Sequence, residues 1–479
     1  MNYSIIRYIL CRVLEFQALF LALPCGAALI YREKEGWTYG AVLAACLLPG
    51  VLGKMKKPKS TVFYAREGFV TVSLSWIVLS LTGALPLYLT GEISSYTEAL
   101  FETISGLTTT GASILKDVEA LSRCSLFWRS FTHWIGGMGV LVLILAVLPL
   151  AGGYNMHLMR AESPGPTVGK LVPRVKNTAR NLYKMYVVLT VVQIVLLLIT
   201  GMSLFESLTL SFGTAGTGGF GVLNSSIGDY SMASQAVITI FMILFGINFG
   251  VYYLIWTRKP LQALRHEEMR CYLGLILAAI LLITINIKGG FNSVLDAFHH
   301  AAFQVASIIT TTGYSTTDFN QWPEFSKVIL VLLMFAGACA GSTGGGIKIS
   351  RVVIMMKLVK NELSYLIHPK RVRQIHFEKR VVNKDILRSI CVFFIAYAFV
   401  FALSLLLISL DGLDFTTNFT AVAATLNNIG PGLEQVGPAA NFAVYSQPAK
   451  YVLMFDMLAG RLELFPILLL LAPSTWKRR

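Results

Sequence analysis

Four short turns carry the residues of this sequence that could do chemistry: TTTGAS at 108–113, GTGGFG at 216–221, TTTGYSTTD at 310–318 and NNIGPGL at 427–433. A cation that loses its hydration shell needs oxygen ligands, and backbone carbonyls supply them without net charge if the chain is held extended. Glycine permits the backbone angles this requires, and threonine adds a hydroxyl. The glycines in question, Gly111, Gly219, Gly313 and Gly430, lie 108, 94 and 117 residues apart. A partly polar stretch of helical character precedes each turn, at 95–108, 205–214, 293–309 and 414–427. Its C-terminal, partly negative end would point toward the turn. One such turn is unremarkable; four in the same order make a cation filter.

Two further features stand out. Gly341, Gly344, Gly345 and Gly346 interrupt an apolar segment. Each glycine costs a helix about 1 kcal/mol, so the helix is expected to break there. Close packing through small residues is one account; a flexible loop beneath the filter, acting as a gate, is the other. Arg461 sits in a second apolar segment. At mid-membrane an Arg costs about 2.5–3.5 kcal/mol, so it should face a pore or a partner on another helix. Glu463, two residues on, projects from a different face and is a poor partner.

Other motifs carry less. Gly216, Gly218 and Gly221 satisfy G-x-G-x-x-G, but no strand and no βαβ context surround them. GSTGGGIK imitates a P-loop with Ile347 where the Lys should stand. His133, His299 and His300 flank the pore elements and are spaced for packing or capping rather than for a metal. His266, Glu267 and Glu268 are expected to be solvated in a cytoplasmic loop.

What must position the turns is a membrane protein. The chain has 479 residues, 55% hydrophobic and only 14% charged, with a mean hydropathy of +0.65. Apolar spans fall at about 8–31, 37–53, 68–90, 127–150, 184–203, 233–256, 272–288, 327–357, 388–410 and 449–472. Several reach the roughly 20 residues that cross a bilayer. The short stretches before the turns cannot cross it. Irregular backbone at membrane depth is tolerated only inside protein or around a watery cavity. The net charge of +15 could suggest nucleic acid, but most Lys and Arg fall at the two termini and in every second loop. That is the positive-inside pattern, with both termini cytoplasmic and no nucleic-acid partner. The seven cysteines suggest neither a disulfide framework nor a zinc site. The first span reads as a retained helix rather than a signal peptide.

The expected fold is an all-α polytopic membrane protein. An N-terminal helix pair precedes four tandem repeats of outer helix, pore helix, filter loop and inner helix, arranged with pseudo-four-fold symmetry around one pore. The divisions are 1–66 for the N-terminal pair and basic loop, then 67–183, 184–271, 272–387 (with the gating loop) and 388–479 for the repeats.

Several strings resemble the TrkH/KtrB superfamily of bacterial potassium transporters. Besides the four turns, they are HWIGGMGVLVL (133–143), NFGVYY (248–253), GACAGSTGGGIK (337–348) and GRLELF (460–465). The N-terminal pair favours the TrkH branch. The resemblance implies potassium uptake across the bacterial cytoplasmic membrane, not an enzyme, with no cofactor in this chain. It implies a filter of Thr109, Thr110 and Gly111; Thr217, Gly218 and Gly219; Thr311, Thr312 and Gly313; and Asn428, Ile429 and Gly430. The gate would comprise Gly341, Gly344, Gly345, Gly346 and Arg461. The family forms dimers and works with a separate cytosolic nucleotide-binding subunit of TrkA or KtrA type, for which the basic stretch 348–388 is a docking candidate; the same stretch could simply face anionic lipid. The second and fourth turns depart from Thr-Thr-Gly, which makes the ring asymmetric. The rival reading is an inverted-repeat secondary transporter of a small solute. Four repeats of one topology, without charged side chains at the filter positions, argue against it.

Overall fold

Membrane helices of this sequence start where polar caps meet apolar runs. Ser203, Ser293 and Asp414 each accept a backbone N–H of the first turn of a pore helix, at 3.3, 3.1 and 2.8 Å from Glu206, Asp296 and Thr417. At Ser203 the Glu206 carboxylate reaches back to the Ser203 N–H at 3.2 Å, completing a capping box. The computed structural model describes residues 1–55, 64–139, 175–369 and 374–477.

An N-terminal pair, α1 (Tyr3–Tyr31) and α2 (Gly36–Met55), packs beside the first repeat. The four repeats then follow in order. The outer helices are α3 (Ala65–Leu89), α6 (Val175–Ile199), α11 (Glu267–Ile287) and α15 (Lys384–Ile408). The pore helices are α4 (Tyr96–Leu107), α7 (Leu204–Gly216), α12 (Val294–Ile309) and α16 (Phe415–Leu426). Their ends fall within two residues of the stretches expected from sequence. Among the described residues, six helices are each long and apolar enough to cross a membrane, and they are the N-terminal pair and the four outer helices.

The inner helices differ from expectation. The spans read as continuous at 127–150, 233–256 and 449–472 are broken, as is the third. The first, α5 (Arg123–Gly137), stops at Gly137, and positions 140–150 lie outside the described residues. The second is split into α8 (Met232–Phe245) and α9 (Phe249–Trp256), bent by 91°. The short α10 (Pro260–Leu264) follows it. The third is split into α13 (Glu324–Ala336) and α14 (Ile349–Ile367), with the glycine loop between. The fourth is split into α17 (Gln447–Arg461) and α18 (Phe465–Leu471) before the terminal turn α19 (Pro473–Trp476).

The cause is tertiary. A Cβ on Gly136 would overlap the Leu107 carbonyl oxygen, and one on Gly460 the Leu426 carbonyl. These inner helices seat glycine against the end of their own pore helix and end one residue later. Glu463 and Leu464, both at positive φ (54° and 66°), make the turn in the fourth.

The basic stretch holds a hairpin that sequence reading did not anticipate. β1 (His376–Phe377) pairs antiparallel with β2 (Arg380–Val381), His376 opposite Val381. Glu378 and Lys379 take positive φ (50° and 60°) at its two-residue turn, as such hairpins require. Lys56, Lys57 and Lys59 of the first basic loop, and 370–373 of this one, lie outside the described residues.

Candidate functional site

The four pore helices end alike. Thr109, Thr217, Thr311 and Asn428 all sit in the left-handed region, with φ of 56°, 56°, 59° and 55°. The N–H of the next residue, Thr110, Gly218, Thr312 or Ile429, then donates back to Ser105, Gly213, Ser307 or Ala424 at 2.8 Å in every case. This six-to-one bond is the Schellman closure. A β-branched residue at positive φ is uncommon and strained, and strain of this kind gathers at functional sites. Gly111, Gly219, Gly313 and Gly430 follow, also at positive φ (79°, 83°, 85° and 102°).

The turns meet in one ring. A Cβ on Gly111 would overlap the carbonyl oxygen of Gly218; on Gly219, that of Thr312; on Gly313, that of Ile429. A Cβ on Gly430 would lie 2.8 Å from the Thr110 oxygen. Each glycine therefore abuts the middle carbonyl of the next turn, and the circuit closes in the order one, two, three, four, one. The ring sits between two cavities. All four glycines line the first. Trp76, Gly344, Gly345, Lys348, Gly460 and Arg461 are among the residues lining the second.

Departures from Thr-Thr-Gly have visible causes. A side chain at Gly218 would run into the His133 imidazole. His133 Nε2 accepts the Phe220 N–H at 3.2 Å, so its Nδ1–H donates to the Gly106 carbonyl at 2.8 Å. The imidazole thus ties the first pore helix to the second turn. In the fourth turn Asn428 Nδ2 donates to Thr110 Oγ1 at 3.0 Å and to the Met457 carbonyl at 2.8 Å. His299 and His300 lie further out, paired with Gln235 (2.7 Å) and Thr316 (2.9 Å).

Glu102 and Arg129, which sequence reasoning passed over, form a buried pair behind the ring at 2.6 Å. Glu102 also accepts the Ile114 N–H at 3.1 Å, and Arg129 lies 4.2 Å over the Phe220 ring. A buried pair of this kind gives position more than stability. A second carboxylate in the first pore helix, past its first turn, was the available signal.

Beneath the ring lies the glycine loop, wider than expected at Gly337–Lys348. The Gly345 N–H donates to Thr311 Oγ1 at 2.6 Å, and a Cβ on Gly345 would overlap the Asn427 carbonyl. Gly344 lies near the Thr310 carbonyl, where a Cβ would stand 3.0 Å away. The Lys348 ammonium donates to the Gly344 carbonyl. The loop also crosses the second inner helix at its break: Cys339 N–H to Gly246 carbonyl and Phe249 N–H to Gly341 carbonyl, both 3.0 Å.

Arg461, last residue of α17, joins these parts. It donates to the Thr343 carbonyl of the loop (3.0 Å), to Thr109 Oγ1 of the first turn (3.3 Å) and to the Gly136 and Gly137 carbonyls, the latter at 2.7 Å. Glu463 pairs instead with Arg351 at 2.5 Å. The structure thus brings together all twelve ring positions, the glycine loop and Arg461. It also corrects the expectation for Glu268, which is not solvated but 2% exposed, because the hairpin and the loop close over it.

Comparison with known proteins gives the family and the fold. The TrkH family profile, described as cation transport protein, matches residues 38–478. The chain is 38% identical over 464 residues to the Trk system potassium uptake protein TrkH of Salmonella typhimurium, covering 95% of this chain and 96% of that one. It is 34% identical over 487 residues to the Trk system potassium uptake protein TrkG of Escherichia coli K12, with both chains fully covered. Among solved structures, the crystal structure of the potassium transporter TrkH from Vibrio parahaemolyticus superposes with a TM-score of 0.89 at 33% identity over the whole of both chains.

Proposed function

The chain belongs to the TrkH family of cation transport proteins, and on that premise we propose that it takes up potassium through the ring of four turns. The observation that carries this reading is the closed circuit in which each filter glycine abuts the middle carbonyl of the next turn. Such a ring offers uncharged oxygens in place of water. The selecting residues are Thr109, Thr110 and Gly111; Thr217, Gly218 and Gly219; Thr311, Thr312 and Gly313; and Asn428, Ile429 and Gly430. Flow is gated by the loop carrying Gly341, Gly344, Gly345 and Gly346 together with Arg461. The loop touches the bases of the third and fourth turns and the Arg reaches the first, so a cation leaving the ring meets both.

Each repeat works as one quarter of this device, with divisions at 67–183, 184–271, 272–387 and 388–479. The protein lies in the bacterial cytoplasmic membrane with both termini inside, as a homodimer. A cytosolic nucleotide-binding subunit of TrkA or KtrA type sets the gate through the basic face at 348–388. The relatives' names support potassium as cargo.

The test is flux in liposomes containing purified protein, comparing potassium, rubidium, sodium and lithium with and without a proton gradient. Potassium and rubidium are expected to pass faster than sodium and lithium. Equal lithium and potassium flux would refute the filter. Full nucleotide-responsive activity of the polypeptide alone would refute the separate subunit.

A further inference from the structure

Glu268 stands in the first turn of α11, on an outer helix, and lines neither cavity flanking the ring. It is nevertheless buried, and one carboxylate oxygen, Oε1, accepts two backbone N–H groups: Ala340 at 2.7 Å and Ser350 at 3.1 Å. Those residues stand on either side of the glycines of the gate loop, Ala340 just before Gly341 and Ser350 in the first turn of α14. A single carboxylate oxygen therefore fastens the chain on both sides of those glycines. Bonds to an ionised acceptor are roughly twice as strong as neutral ones.

Behind this oxygen lies the hairpin. The Glu268 N–H donates to Glu378 Oε1 at 3.0 Å, and His266 Nδ1 lies 3.0 Å from the same atom. Lys357 of α14 joins Glu267 to the His376 carbonyl, the latter at 2.8 Å. The start of α11 is held between the loop on one side and the hairpin of the basic stretch on the other.

We propose that Glu268 is the positioning residue that holds the glycine loop in its closed seat, and that the hairpin acts on the gate through it. This rests on the loop being the gate. Glu268 touches no ion; it acts by fixing Ala340 and Ser350.

The experiment measures potassium and sodium flux in liposomes for Glu268→Gln, alone and combined with deletion of Gly344–Gly346. Glutamine keeps the shape and one acceptor but removes the charge. Potassium flux should rise about fivefold, the strength lost on neutralising such bonds, with an unchanged potassium-to-sodium ratio. In the deleted background the substitution should add nothing, because the two changes act on one element. Alkylation of Cys339, buried beside Ala340, should quicken in Glu268→Gln; a purely structural role elsewhere would leave it unmoved. If Glu268→Gln does not insert, Glu268→Asp, which keeps the charge but withdraws it by one methylene, must show the same rises. If the deletion raises flux and neither substitution moves flux or Cys339 labelling, or if the factors multiply, the latch is refuted and the gate stands. If the deletion itself leaves flux unchanged, the gate reading is what has failed.

Discussion

The four turns of the ring and the four inner helices beneath them were built on one plan, yet they differ in how far they keep it. The turns hold φ of their first residue within a few degrees, and all four close with the same 2.8 Å bond. The inner helices all break, but each in its own way: a stop at Gly137, a 91° bend, a loop of glycines, and a turn through Glu463 and Leu464. A task that needs oxygens on every side is served by repeated backbone. In the proposed function a movable barrier needs one part unlike the rest, and the glycine loop of the third repeat would supply it. The loop is tied to the second repeat at Gly246 and to Arg461 of the fourth, so the asymmetric part leans on its neighbours.

The comparison can be broken where the ring is tightest. Gly111→Ala or Gly219→Ala places a Cβ at positive φ against a neighbouring carbonyl. Such overpacking costs about 1–3 kcal/mol, and here the displaced atom is a proposed ligand. Potassium flux in liposomes should fall at least about tenfold, with the protein still in the membrane fraction. Wild-type flux from either variant would mean that the ring tolerates what its geometry forbids.

Arg461→Ala works on the unrepeated layer and should act in the opposite direction. Removing a fixed charge at a few ångströms, even at high effective dielectric, changes cation occupancy by about tenfold. Basal potassium flux should rise by about that factor and selectivity should persist; lower flux would make the Arg a structural tie.

A smaller effect sharpens the asymmetry within the ring. Gly218→Ala meets the His133 ring, and destabilisation of about 1–3 kcal/mol is expected, read as a lower melting temperature in detergent. Ala at Thr110, where the middle position already carries a side chain, should cost less; the reverse order would detach Gly218 from His133.

The smallest effect concerns the hairpin. Burial alone would lower the His266 pKa, but Glu378, Glu268 and Glu267 outweigh it and hold it above the usual 6.5. Burial likewise pushes Glu378 up, and His266 with the backbone N–H groups of Glu268 and Glu267 brings it below 4.5. A raised His contributes fully below its unfolded value and loses its contribution as pH rises through the folded one; a depressed Glu loses its own as pH falls below 4.5. The attachment should be firmest between about 4.5 and 6.5. Hydrogen exchange of residues 376–381, corrected for intrinsic rates, should therefore show protection falling as pH is raised from 6 to 9. Flat protection would contradict the pairing.

Sequence carried the ring well because its signals are local. Caps at Ser203, Ser293 and Asp414 start pore helices, and a Thr or Asn two places before glycine ends them. The inner-helix breaks were read in one repeat and missed in three, since they depend on Gly136 and Gly460 meeting carbonyls far along the chain. Their trace was present: Gly136, Gly246, Gly337 and Gly460 fall 25, 27, 24 and 30 residues after the filter glycines. The glycine loop was expected for its flexibility, whereas Gly344 and Gly345 are also required for close approach to the turns. Glu268 looked like a loop residue because nothing in its neighbourhood of sequence announces the hairpin that covers it.

The central claim is that the repeated layer selects and the unrepeated layer gates. It is tested most directly by measuring the potassium-to-sodium flux ratio and the basal potassium flux of two variants side by side in liposomes. Gly313→Ser, whose side chain would press on the Ile429 carbonyl, should lower the ratio. Deletion of Gly344–Gly346 should raise the flux and leave the ratio unchanged. A deletion that alters the ratio, or a Gly313→Ser protein with wild-type selectivity, would contradict the division of labour.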